Sequence, residues 1–368
     1  MRKARKLAAV AALAIASPGL AEPRFTVVDP LAGGGPGDRR ALADALDSGK
    51  IETIPTWTGA FPIKDKRYRF RLVGRPPDSS LTRIQVELVA IRLTVPDGPG
   101  GKTIVFDATG IMDHIVASPL FSASPTYDGA EFGDAMLRAE FPDSNPGWRT
   151  ILEPVAGGEI AVAAPPGTVK IKQAKSGKYF GFIKDSSIVN KPIAAYLKAH
   201  GSHDRISAFI TYNSVEKFAY GYHSWKWADR KKRAIDVYLY SSWMEGIDDV
   251  LGFPSPDAAT LSHEIAETLH DPLIDSVTRK WGDPFRKNRC FQRLIEVADA
   301  VEFAGLRKLY AKAKGMVDGQ PFDFTVQNAA LLPWFAREDP SSALDGAYSF
   351  PTVGILTKPA PMHCVKRP

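Results

Sequence analysis

From Ile84 to Val95 the chain reads Ile-Gln-Val-Glu-Leu-Val-Ala-Ile-Arg-Leu-Thr-Val, apolar positions recurring on the two-residue period of a strand and rich in β-branched side chains. Strands are likewise predicted over Tyr68–Val73 and Thr103–Phe106, the turn Pro96-Asp97-Gly98-Pro99-Gly100-Gly101 preceding the second. This part reads as an antiparallel sheet. Further along, the pattern predicts a helix over Gly129–Phe141 stopped by Pro142, short strands at 159–163 and 168–172, and a helix at 191–199. An apolar strand, Ile206–Tyr212, and another, Ala234–Tyr240, follow. Residues 22–53, with their Gly-rich run Gly33–Gly37, read as a loose lead-in. Strands first and helices later predict an α+β fold, with a β-rich domain over 54–200 and a second α+β domain over 201–368.

The best-marked helix lies in Ser255–Pro272. Ser255 suits its N-cap, Pro256 its first position, Asp257 the positive end of its dipole, and Pro272 forbids continuation. Ala258, Leu261, Ile265 and Leu269 make an apolar arc, and His263, Glu267 and His270 lie on the opposite side. Positions i and i+4 are neighbours on a helix, which is how zinc proteases take two ligands from His-Glu-x-x-His and use the intervening Glu as general base. Here Glu267 stands at the second ligand position, and carboxylate is a competent zinc ligand, so the spacing survives with a changed donor. Glu264 is then the candidate base. Glu296, 29 residues after Glu267, and Asp299 are candidate third ligands that share a face if helical, and His270 competes with them. His223, in Gly-Tyr-His-Ser, is a further candidate as ligand or oxyanion donor. The alternative is an amphipathic helix whose polar face is simply solvated.

The N-terminus changes the meaning of the charge. Met1-Arg2-Lys3-Ala4-Arg5-Lys6, an apolar run from Leu7 to Ala16 and small residues up to Ala21 are the parts of a secretory signal, with cleavage expected after Ala21 and a secreted or periplasmic destination. Residues 1–21 hold four basic and no acidic residues, so their removal lowers the formal net charge from +6 to +2. The basic character therefore gives no reason to propose nucleic acid as a partner. No apolar run approaches the ~20 residues needed to span a bilayer. In an oxidising compartment the only two cysteines, Cys290 and Cys364, are expected to form a bridge.

Several segments together resemble a family of secreted, mostly uncharacterised bacterial proteins. They are Ser262-His263-Glu264-Ile265-Ala266-Glu267 with Asp271-Pro272, Trp281-Gly282, Cys290, Leu294–Asp299, Val326-Gln327, Pro333-Trp334-Phe335 and Cys364. Upstream, Ile54–Gly59, Ala117–Phe121, Gly133–Met136, Phe209–Asn213 and Gly221–Ser224 fit the same resemblance, which then covers residues 54–364. The family is distantly similar to plant phosphate-induced secreted proteins. The resemblance implies a zincin-like C-terminal part and a metalloprotease activity itself inferred from the motif. Carried onto this chain, His263 and Glu267 bind zinc, Glu264 activates water, and Glu296 or Asp299 completes the site, with a peptide or protein as substrate. A second reading stays open, in which the same cluster holds a structural metal or a polar network without catalysis. The oligomeric state is left open as well.

Overall fold

In the computed structural model, which describes residues 36–217, 219–229, 231, 233–251, 255–282, 290–302 and 309–360, the long β-branched run becomes the spine of the molecule. Helix α1 (Pro36–Asp47) and a hairpin of β1 (Thr56–Ile63) and β2 (Lys66–Val73) precede that run, β3 (Leu81–Val95). Strand β4 (Ile104–Asp107) folds back antiparallel on the end of β3. After α2 (Met112–Ala117) and α3 (Phe132–Glu140), β5 (Arg149–Ala163) runs parallel to β3 along nearly its whole length. A hairpin of β6 (Val169–Gln173) and β7 (Tyr179–Ile183) and helix α4 (Ser187–His200) lead to β8 (Arg205–Tyr212), parallel to β3 on the other side. The short β9 (Ser214–Glu216) joins β7, β10 (Gly221–Trp227) forms an edge, and β11 (Ile235–Trp243) lies between β10 and β8.

The central sheet thus runs β10-β11-β8-β3, with β5 beyond β3 and β4 at its end. Four of its strands are parallel, and parallel strands require cover on both faces. Alternate residues of β3 supply two cores. Ile84, Val86 and Leu88 join one with Leu261, Ile265 and Leu269, while Val89, Ile91 and Leu93 join the other with Val189, Ile193 and Leu197 of α4. Full burial of each such side chain contributes about 1.5–3 kcal/mol.

Several expectations are corrected. The predicted antiparallel sheet is a mixed, mainly parallel one, because the partners of β3 arrive through crossovers that carry α2, α3 and α4. Residue 200 falls between strands of this single sheet, which draws β3, β4 and β5 from one side of it and β8, β10 and β11 from the other. The lead-in contains α1, and the predicted strand 159–163 is the last third of the longer β5. The mixed α+β character itself is as expected. The signal segment and Cys364 lie outside the described residues, as does the side chain of Cys290, and with them the expected bridge. Among the described residues, no helix is long and apolar enough to cross a membrane.

Beyond the sheet, α5 (Asp248–Leu251) precedes α6 (Ala259–His270), the predicted motif helix. A pair of strands, β12 (Val277–Gly282) and β13 (Cys290–Leu294), leads to the one-turn α7 (Asp299–Glu302). The hairpin of β14 (Tyr310–Val317) and β15 (Gln320–Gln327) closes the other side of α6, and α8 (Leu332–Ala336) follows. Helix α6 starts three residues later than its cap signals suggested. Ser255 and Thr260 share a hydroxyl hydrogen bond of 3.0 Å, so Ser255 does not cap. Asp257, at φ 39°, accepts hydrogen bonds from Thr325 N and Oγ1 and pins the start of the helix to β15. Its neighbour Ala258 takes the N-cap position without a side-chain bond.

Candidate metal centre

Every residue of α6 is buried, so the solvated polar face is ruled out and its His and Glu side chains must find partners inside the protein. The helix packs against β10 and β11 on one side and β15 on the other. Ser262 links it to β15 by accepting the Gln327 N–H at 2.8 Å. Glu267 reaches the segment after β13, where its Oε1 accepts the Asp299 N–H at 3.2 Å. Two long-range contacts therefore tie α6 to β15 and α7.

The helical spacing does what the motif requires. His263 Nε2 lies 3.2 Å from Glu267 Oε2, 3.8 Å from Asp299 Oδ1 and 3.9 Å from Glu264 Oε1. His263, Glu267 and Asp299 offer ligand atoms that all lie within 4.8 Å of one another. His223, from β10, approaches from the sheet, with its Nδ1 3.6 Å from Glu267 Oε2 and 3.8 Å from Glu264 Oε2. Glu296 is fully buried, its charge is felt at His223, Glu267 and Asp299, and neither of its oxygens has a hydrogen-bond partner. Both Glu264 oxygens are likewise without one.

His270, the competing ligand of the sequence reading, is not brought to this cluster. Its Nδ1 meets the Ala266 carbonyl at 2.6 Å and its Nε2 meets Glu140 Oε2 at 3.0 Å, across to α3. Two contributors escaped the sequence reading. Glu302 places its Oε1 3.8 Å from His263 Nδ1, a position from which a carboxylate orients a ligand imidazole so that Nε2 faces the ion. The signal was present, since Glu302 follows Asp299 at the same i, i+3 spacing as Asp299 follows Glu296. Gly221 is the other. A Cβ there would stand 2.5 Å from Glu264 Oε1, so glycine leaves the space in which that carboxylate lies.

The electrostatics follow from burial. Burial opposes charge on His263 and His223, but Glu267 and Glu264 beside them hold both imidazoles well above their ordinary pKa. Burial also works against Glu267, yet the two histidines outweigh it and keep that carboxyl below the usual range. Burial raises Glu264, Glu296 and Asp299, and pushes Glu302 and Asp271 up to about 8. Of the six carboxyls around the two imidazoles, Glu267 is held as the anion and burial favours the protonated form of the other five. Desolvating an ion costs several kcal/mol unless a counter-charge compensates. Imidazole and carboxylate donors are those of zinc, and the unpartnered Glu264 and Glu296 oxygens are what a cation would satisfy. The residues present fit a divalent metal. Only Asp299 and Glu302, with side chains 14% and 20% exposed, open the cluster toward solvent.

Comparison with known protein families, with curated proteins and with solved structures returned no match to this chain.

Proposed function

We propose that the protein is a zinc-dependent hydrolase that acts on peptide bonds outside the cytoplasm. The observation that carries this reading is the convergence of ligand atoms from His263, Glu267 and Asp299, with the Glu264 carboxylate beside them and without a hydrogen bond. His263, Glu267 and Asp299 would hold the ion, and Glu302 would orient His263. When bound, zinc supplies Lewis acidity to a carbonyl oxygen and makes water acidic enough to react near neutral pH. Glu264 takes the proton from attacking water and delivers it to the leaving amine, a role that suits a carboxyl whose pKa burial has raised. Gly221 keeps that carboxylate in place. The resemblance to the secreted bacterial family and the N-terminal signal pattern agree with this reading, and export rests on that pattern alone.

The near-complete burial of the cluster favours a second reading, a structural ion enclosed by protein groups. The two are separated by measuring bound zinc and cleavage of an unstructured polypeptide for the protein and for Glu264→Gln. The hydrolase reading expects zinc in both and cleavage by the unsubstituted protein alone. Zinc in both with cleavage by neither makes the ion structural, and full zinc retention by His263→Ala overturns the ligand assignment.

A further inference from the structure

We propose that the centre has a second cation position, made by His223, Glu264 and Glu267, and that Glu267 bridges it to the first. The proposal rests on the hydrolase reading for its consequence, though not for its geometry. His223, Glu264 and Glu267 are fully buried and offer ligand atoms within 4.8 Å of one another, a set distinct from His263, Glu267 and Asp299 except for the shared Glu267. The same oxygen, Glu267 Oε2, faces both imidazoles, at 3.2 Å from His263 Nε2 and 3.6 Å from His223 Nδ1. A carboxylate so placed between two nitrogen donors is the bridging group of a paired site, in which the ions lie about 3.5–4 Å apart.

An independent observation points to a ligand on this side. Both oxygens of Glu264, itself a member of the set, are buried without a hydrogen bond, as are those of the fully buried Glu296.

The second position also regulates the first. Glu264 cannot ligate a cation and accept a proton from water at the same time, so the second equivalent of metal switches hydrolysis off by occupying its base. Carboxylate-rich positions accept manganese, which supplies a direct probe. Metal-free full-length protein is titrated with Mn2+ and followed by electron paramagnetic resonance, in parallel with His223→Gln. We expect two equivalents to bind, the second quenching the isolated-ion signal through exchange coupling across Glu267, and one uncoupled equivalent in the variant. With Zn2+, peptide cleavage should fall at least tenfold between the first and second equivalents. Saturation at one equivalent in the unsubstituted protein, or two equivalents with additive uncoupled signals, overturns the paired site and leaves the hydrolase reading standing. Paired ions with undiminished cleavage overturn the regulatory consequence. No metal bound at all overturns both readings.

Discussion

Two histidines of α6, His263 and His270, are both fully buried and both face carboxylates, yet their surroundings differ in kind. The His270 group closes on itself. One ring nitrogen donates to the Ala266 carbonyl, the other meets Glu140 Oε2, and the remaining Glu140 oxygen accepts the Leu332 N–H at 2.8 Å. Every polar atom has a partner, and α3, α6 and α8 are tied together by the result. Around His263 the numbers do not match, for Glu264 and Glu296 leave four buried carboxylate oxygens without a hydrogen bond. A satisfied buried ion pair is fold. An excess of buried carboxylate about two turns away along the same helix is a group that could hold a cation.

Substitutions should separate the two regions cleanly. The largest effect is expected from Glu264→Gln, which removes the proposed base and should lower peptide cleavage by about 10²–10⁴-fold. The thermal stability of the metal-free protein should change little, because burial already favours the neutral form of this carboxyl, which the amide replaces. A variant that melts far earlier would place Glu264 with the structural pairs. Glu140→Ala should do the reverse, costing about 3–5 kcal/mol in denaturant unfolding by leaving His270 without its partner, while bound zinc per folded molecule stays unchanged. Gly221→Ala sits between these extremes. Its new methyl group must displace Glu264, and a shift of that size costs cleavage up to about 10²-fold with metal binding to His263, Glu267 and Asp299 retained.

The contrast also has a pH signature. In the metal-free protein, burial keeps Asp271 and Glu302 protonated up to about pH 8, whereas in the unfolded chain such carboxyls ionise near pH ~4. Between those values the folded chain holds protons that the unfolded chain has released, so stability falls as pH rises through that window. The raised His223 and His263 act in the same direction, since the stability they confer is complete below their unfolded value and is lost as pH climbs through their folded ones. Bound metal replaces the protons and should flatten the slope. Melting curves at pH 5 and pH 8, with and without chelator, check this; a metal-free protein more stable at pH 8 contradicts it. The smallest effect is expected at Tyr222. Its hydroxyl donates to Asn190 Oδ1 at 2.6 Å and its ring lies in the core on the far face of the sheet from α6, so Tyr222→Phe should cost about 1–3 kcal/mol and leave cleavage unaltered.

What the sequence made legible was local. Helix α6 and strands β2, β3, β4, β8 and β11 were visible because apolar periodicity is set by near neighbours, and His263, Glu264 and Glu267 because i, i+4 spacing is a property of any helix. Strand β5 was read over only its last third because Pro154, Gly157 and Gly158 interrupt the pattern, and Gly157 is there since a Cβ would stand 2.6 Å from the Leu88 carbonyl. Parallel pairing was illegible for a different reason. It joins segments whose separation carries no periodic signal. His223 shows the same limit, because its approach to Glu267 depends on β10 lying antiparallel at the sheet edge above α6. Gly221, two residues before it, carried no sign in the sequence of the Glu264 carboxylate it lies against.

The pairing of β3 bears on how the chain reaches this state. Leu81 is matched with Arg149 and Gln85 with Arg205, so the central strand waits for partners made much later in the chain. Contacts of such high sequence separation slow folding, since loop-closure entropy is spent before any pairing repays it. A fragment ending near residue 200 would expose one long edge of β3, with Val86, Leu88 and Ala90 beside it, as a template for aggregation. The candidate metal centre, drawn from β10, α6 and α7, belongs to the last-made half of the molecule, and β10 joins β3 only through β11 and β8, the strand that covers that edge. Metal capture should therefore be a late, kinetically separate event in refolding, readable as a slow phase that appears only when the complete chain is present.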